Sequence, residues 1–286
     1  SVSDIQSERL QALLAYLLLH RDTPQSRQQL AVQLWPDVSE TEAKANLRRR
    51  LHELKQKLPA VQNWLQIEKK TVQWLPDTEY VLDVAAFENA VKTAYDSLEE
   101  PGNVSDQVDV VALDQAAKLY QGDLLPECYD DWIVPYRDNL RNQAMTVLDA
   151  LIPRLMEQNQ IRTALGYAQQ LQRLDPLHEP AYCHLMRLHA WEGDRASALR
   201  VYHQCMTLLQ EELGVPPSPT TSRLYEELLT LEDNSQVVAE FAATTVMPAE
   251  TSKFDIKVPG WESVTRTVAD VRTAGSPELE AELKLT

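Results

Sequence analysis

Apolar and polar positions along this chain follow two different periods, and the period divides it into segments. Over residues 8–20, ERLQALLAYLLLH, Leu10, Leu13, Leu14 and Leu17 recur at the spacing of one buried helix face. Asp22-Thr23-Pro24 interrupts that pattern. Ser26 and Gln29 then form a capping box, which predicts a second helix through Leu30, Leu34 and Trp35, closed by Pro36-Asp37. Ser39 and Glu42 form another box and predict a long helix over Ser39–Leu58, with Leu47, Leu51, Leu54 and Leu58 in one narrow apolar stripe. At residues 64–75, WLQIEKKTVQWL, the period changes to two. Leu65 and Ile67 share a face, as do Val72 and Trp74, with Glu68-Lys69-Lys70-Thr71 between them, which predicts a β-hairpin with a basic tip.

The pattern beyond residue 82 is helical. Helices are predicted over 83–100 (capped by Asp83), 109–121 and 131–158, the last with a bend near Pro135 or Pro153. Pro101–Asp106 is a polar loop, and Tyr120–Ile133 an inter-helix turn in which Gly122 suits a helix C-cap and Pro126 a stop. Three further helices, Arg162–Leu174, Glu179–Trp191 and Arg195–Leu213, are closed by Asp175-Pro176, Gly193-Asp194 and Gly214. The first two of these stops are 18 residues apart, about half of a roughly 34-residue tetratricopeptide period. Ala164, Tyr167 and Ala168 recur at that period as Ala196, Ala198, Leu199 and Tyr202, and the small residues suit close helix packing. Residues 233–286 are polar and acidic, interrupted by Pro248, Pro259, Gly260, Gly275 and Pro277, and read as a linker or tail. Within it Phe254, Ile256, Val258 and Trp261 suit one short strand, and Pro277–Leu285 one or two helical turns.

Composition sharpens this picture. A chain of 286 residues suggests two domains, and few Gly (7) and Phe (3) beside abundant Leu, Ala, Gln and Glu favour a mainly helical protein. The net charge of −16 argues at first against nucleic acid. Residues 1–83, however, hold 11 basic and 11 acidic residues, so the whole excess of negative charge lies beyond them. An acidic body of this kind would turn a basic end toward DNA. Cys128, Cys183 and Cys205 are far apart and lack a C-x-x-C, which fits a reduced, cytoplasmic protein. The longest apolar run, Ala12–Leu19, is too short to span a bilayer, and no signal peptide is evident, so no membrane partner is expected.

Chemistry narrows the function further. His178-Glu179 lacks the second His of a metalloprotease motif, since Tyr182 stands there. Cys183, His184 and His189 on one helix and His203 and Cys205 on another fit satisfied or exposed side chains of a helical repeat better than a metal site. There is no G-x-S-x-G elbow and no glycine-rich phosphate loop. We therefore expect no enzyme, no cofactor and no metal.

Three helices joined by turns this short match a helix-turn-helix core, whose third helix enters the major groove. A hairpin with a basic tip directly after it reads as a wing. On the third helix, Ala45, Arg49, His52 and Gln56 lie opposite the leucine stripe, with Thr41 and Arg48 beside them. Arg48, Arg49 and His52 are the expected groove contacts, with Thr41 and Asn46 at the flank. Lys44, Lys55, Lys69 and Lys70 are expected on phosphates, as are Ser26 and Arg27 at the start of the second helix. Arg50 and Lys57 fall on the other flank as structural or solvent-facing residues.

The stretch SRQQLAVQLWPDVSETEAKANLRRRLHELKQKL resembles the DNA-binding domain of SARP-type bacterial regulators, the antibiotic regulatory protein family. The likeness rests on Ser26, Arg27, Leu30 and Ala31, on Leu34 to Asp37, and on Ala43, Asn46, Leu47, Arg48 and Leu51. It continues through Asp83 and Phe87-Glu88, through YQGDLLPECYDDWI at Tyr120–Ile133, and to Glu211–Leu229, where the family has a Pro-rich link and a last capping helix. The family carries a small sheet before its first helix; this chain has about seven residues there, so a reduced domain is expected.

The resemblance implies a mainly α fold, an N-terminal winged helix-turn-helix at 1–82, a tetratricopeptide-like bacterial transcriptional activator domain at 83–232 and a tail at 233–286. It also implies a transcriptional regulator of the activating kind, with double-stranded promoter DNA, RNA polymerase and a second copy of the chain as partners. The rival expectation is a tetratricopeptide-like interaction module whose reduced winged helix does not bind DNA. The absence of G-x-x-x-x-G-K-[ST] excludes a P-loop ATPase module within this stretch.

Overall fold

The structure is a computed structural model that describes residues 7–58, 61–75, 81–96, 110–230 and 282–283. It contains two compact units. The first comprises Ser1–Ala86, Gln121–Asp138 and Lys253–Thr286, the second Phe87–Tyr120 and Asn139–Ser252. The segment 121–138, which its sequence pattern places within the second domain, is thus part of the first unit.

The first unit is built around α1 (Glu8–Leu19), whose Leu10, Leu13, Leu14 and Leu17 are buried together with Ala12, Ala15, Leu18 and Leu19. More than one face of α1 is apolar because α2 (Arg27–Leu34), α3 (Glu40–Lys57) and a strand all pack on it. Both helix starts use the serine that the spacing singles out. Ser26 Oγ accepts from the Gln29 amide at 3.5 Å and Ser39 Oγ from the Glu42 amide at 3.3 Å. A single turn, α4 (Val61–Trp64), leads to β2 (Leu65–Ile67) and β3 (Thr71–Trp74). These form the expected antiparallel hairpin with Leu65 opposite Trp74 and Ile67 opposite Val72. A two-residue strand just ahead of α2, β1 (Gln25–Ser26), adds to the other edge of β3, giving the order β1-β3-β2.

Beyond the hairpin, β4 (Val81–Leu82) pairs in parallel with β5 (Glu282–Leu283). At 282–283 the chain is therefore extended, where a helical turn was expected; the ladder supplies backbone partners that a single helical turn would lack. The strand expected over Phe254–Trp261 and the loop expected at Pro101–Asp106 lie outside the described residues.

The segment Gln121–Asp138 forms a strap on α1. Arg9 donates to both carboxylate oxygens of Asp130 at 2.6 and 2.7 Å and to the Leu34 carbonyl at 3.1 Å. The Trp132 indole N–H also donates to Asp130, at 3.2 Å, and the Trp132 ring meets Tyr16 edge-on. The Arg137 guanidinium donates to the carbonyls of Leu124, Leu125 and Cys128. This grip accounts for a departure from the sequence reading. Gly122 is not the left-handed residue of this turn; Leu125 is, at φ 45°, held there by the carbonyls on either side of it.

In the second unit, most of α5 (Asp83–Asp96), α6 (Val110–Leu119) and most of α7 (Val134–Glu157) precede α8 (Ile161–Leu174), α9 (Glu179–Trp191), α10 (Arg195–Glu212) and α11 (Pro219–Thr230). Consecutive helices from α8 onward pack on one another, and Ala164, Ala168, Ala181 and Ala198 are fully buried, so their backbones approach closely. Left-handed Asn159, Gly193 and Gly214 end α7, α9 and α10. Glu179 ties α9 to the start of α11 by accepting from the Ser218 amide at 2.8 Å and the Thr221 hydroxyl at 2.6 Å. Asp149 lies between His178 and His184, at 2.7 and 3.1 Å. Burial pushes its carboxyl up, and the two imidazoles more than offset this, so it titrates below its ordinary value. Among the described residues no group of His, Cys, Asp and Glu could hold a metal ion, and no helix is long and apolar enough to cross a membrane.

The strap contains a titratable contact. His20 Nδ1–H donates to the Tyr16 carbonyl at 2.8 Å, so Nε2 accepts from the Tyr136 hydroxyl at 3.0 Å. Burial lowers the His20 pKa, against the smaller raising effect of the Tyr16 carbonyl. The folded chain therefore favours neutral His20, and its contribution is present above the ordinary imidazole value of about 6.5 and lost as pH falls below it. Urea unfolding at about pH 7.5 and about pH 5.5 should show wild type losing more stability over that interval than His20→Gln. An equal loss would show that His20 does not carry the effect.

Candidate nucleic-acid interface

The interface begins with the way α3 divides its surface. Ala43, Leu47, Leu51 and Leu54 face the core. Thr41, Lys44, Arg48, Arg49 and His52 are exposed, while Asn46, Arg50 and Lys55 are half-buried. The helix carries more base than acid, and pairing engages only some of the cations. Glu53 takes Arg50 at 2.5 Å and Lys57 at 3.0 Å, and hydrogen bonds from Lys57 and then Arg50 hold its carboxyl below the usual range. Glu40 takes Lys44 at 2.5 Å. Among the described residues, Arg48, Arg49 and Lys55 form no ion pair. The Gln56 amide donates to His52 Nε2 at 3.0 Å.

The wing is fixed to the helix-turn-helix by Arg27. Its backbone N–H donates to the Lys70 carbonyl at 2.9 Å, and its guanidinium to the Glu68 carbonyl at 3.0 Å. Glu68 closes the turn from within. Its amide donates to the Thr71 carbonyl at 2.9 Å, and its carboxylate accepts from Gln66 at 2.9 Å and from the Thr71 hydroxyl at 3.2 Å. With its carbonyls and its acid engaged, the tip presents the exposed side chains of Lys69 and Lys70, which form no ion pair among the described residues.

Each expected residue can thus be located. Arg48, Arg49, His52 and Thr41 share the outward side of α3, with Lys55 at its edge. Ser26, Arg27, Lys69 and Lys70 meet where β1, α2 and the wing tip join. Ser26 and Arg27, expected on phosphates, have structural tasks here: the hydroxyl caps α2 and the guanidinium braces the wing. Lys44 is engaged by Glu40. The roles of Glu53 and Glu68 were not assigned from sequence. Glu53 was recoverable, because it stands three residues after Arg50 and four before Lys57. Glu68 carries no such signal, because its partners depend on the hairpin register.

Removing the brace tests this geometry. Arg27→Ala should lower stability by about 1 kcal/mol and speed amide exchange at Glu68 and along β3, leaving α3 amides unchanged in NMR exchange measurements. Unchanged exchange in the wing would show that strand pairing alone holds it.

Comparison with known proteins places the chain in a family. The bacterial transcriptional activator domain matches residues 82–229, more than half of the chain. The regulatory protein AfsR of Streptomyces coelicolor is 27% identical over 277 residues, which is 95% of this chain and 27% of AfsR. The chain thus spans about a quarter of the length of that curated relative. Among solved structures, EmbR of Mycobacterium tuberculosis, in complex with a low-affinity phosphopeptide, shares the fold with a TM-score of 0.57 at 20% identity. That match covers 83% of this chain and 63% of the EmbR chain. The chain belongs to the bacterial transcriptional activator domain family and is of the SARP type of transcriptional regulator.

Proposed function

We propose that this chain regulates transcription, most directly as an activator, by binding promoter DNA through residues 1–82. In this reading α3 enters the major groove with Arg48, Arg49 and His52 toward base edges and Thr41 and Asn46 at the flank. Lys55, Lys69 and Lys70 take phosphates, joined by Lys44 if it exchanges Glu40 for a phosphate. Arg27 and Ser26 act at the same place by setting the wing and the start of α2. The helical domain at 83–232 serves dimerisation or contact with RNA polymerase.

The observation that carries the proposal is the sorting of charge on α3. Glu40 and Glu53 are occupied by Lys44, Arg50 and Lys57, whereas Arg48, Arg49 and Lys55 have no carboxylate partner among the described residues. A helix whose only purpose was solubility would gain from pairing these cations as well.

Selection from a randomised duplex pool tests the reading. The full chain should enrich one motif, and the Arg48→Ala/Arg49→Ala double variant should enrich none. Arg49→Ala alone should cost about 1–3 kcal/mol of specific binding. Equal, unselective binding by wild type and double variant would overturn the proposal and favour an interaction module that does not read DNA.

A further inference from the structure

The strap lies along α1 and runs in the same direction. Asp130 meets Arg9, Trp132 meets Tyr16 and Tyr136 meets His20. Arg9, Tyr16 and His20 succeed one another at seven- and eleven-residue spacing, so they share one face of the helix. In sequence the strap falls within the stretch matched by the activator-domain family, with α6 before it and the body of α7 after it. It is nonetheless part of the unit that carries α3 and the wing.

One of these contacts reaches beyond α1. Arg9 Nη1 donates to Asp130 and also, at 3.1 Å, to the carbonyl of Leu34, the last residue of α2. A carbonyl at that position has no partner within its own helix, and a cation is favoured at that end of the helix dipole. The end of α2 is thus held from within, where the Trp35 amide donates to the Ala31 carbonyl, and from outside, by Arg9. Trp35 to Val38 then lead directly to Ser39, the cap of α3. Burial does not place Arg9, whose side chain is 42% exposed, against 12% for Asp130. A half-exposed guanidinium on a flexible stem is directed by its partner, and Asp130 is steadied in turn by the Trp132 indole N–H.

We propose that Asp130 is a positioning residue for operator recognition. It acts through Arg9 to hold the C-terminal end of α2, and with it the entry to α3. The inference rests on the proposed DNA-binding function, and it makes a segment of the activator-domain match part of the machinery that reads DNA. Sequence is read at base edges, where paired hydrogen bonds need their geometry, while phosphate contacts carry no sequence information. Loosening the end of α2 therefore costs discrimination between sequences before it costs charge-driven affinity.

The test uses the full chain, the operator selected by wild type and a scrambled duplex of the same length. Asp130→Asn keeps the size of the side chain and removes its charge. It should lower operator affinity at least about tenfold and leave affinity for the scrambled duplex within about twofold. Arg9→Gln should do the same, and the double variant should be no worse than either single one, because the two residues act as one unit. In the free protein, amide exchange at Trp35 should quicken in Asp130→Asn while the amides of α1 stay protected. Equal losses on both duplexes, additive effects, or exchange that quickens throughout the unit would show that the ion pair serves stability alone and would overturn the inference. A wild type that selects no operator sinks the DNA-binding reading and this inference with it. A wild type that selects one, with Asp130→Asn keeping the same preference, sinks this inference alone.

Discussion

The first unit depends on one short piece of backbone pairing. Gln25 and Ser26 lie against Val72 and Thr71, and the residue after Ser26 is already the first of α2. A strand of two residues contributes little by itself. Its consequence is geometric, because it joins the wing to the start of the helix-turn-helix with no intervening linker. Arg27 then doubles the connection from the helix side through its amide and its guanidinium. The wing tip therefore cannot change its angle to α2 without breaking ladder hydrogen bonds, and Lys69 and Lys70 keep their place relative to α2.

Electrostatics acts on this frame by subtraction. The chain is strongly acidic overall, so the proposed DNA-binding surface has to be made by local pairing rather than by net charge. On α3 Glu40 engages Lys44 and Glu53 engages Arg50 and Lys57, while Arg48, Arg49 and Lys55 form no ion pair among the described residues. At the wing, Glu68 is turned into the turn by Gln66 and Thr71 rather than toward its neighbouring lysines. Elsewhere in the same unit the opposite is achieved. Arg9 and Arg137 are engaged by Asp130 and the turn carbonyls, while Glu127, Asp131 and Asp138 form no ion pair among the described residues. One unit thus carries a surface of each sign.

Much of this was legible in the chain. The two serine caps, the leucine stripe of α3 and the period-two hairpin are local signals, and each local preference agrees with the fold around it. The family likeness at Tyr120–Ile133 marked a segment that composition alone would have passed over as a turn. What was not legible depends on distance. Asp130 meets Arg9 across 121 residues, and no periodicity announces it. β1 is too short to have a period at all. Gly122 looked like the left-handed residue of its turn because glycine adopts that conformation freely, yet tertiary contacts place Leu125 there instead. Arg27 opens a helix, which suggests a phosphate contact; only the hairpin's register shows that its amide and guanidinium also reach the carbonyls of Lys70 and Glu68.

The central claim is that unpaired cations on α3 and the wing engage a nucleic-acid backbone. The dependence of operator affinity on salt tests it most directly, since each phosphate neutralised releases counterions in proportion. The account predicts a log–log slope of about −2 to −5, with roughly one unit lost when Lys69 or Lys70 is replaced by alanine. A slope near zero, or one that these replacements leave unchanged, would contradict it.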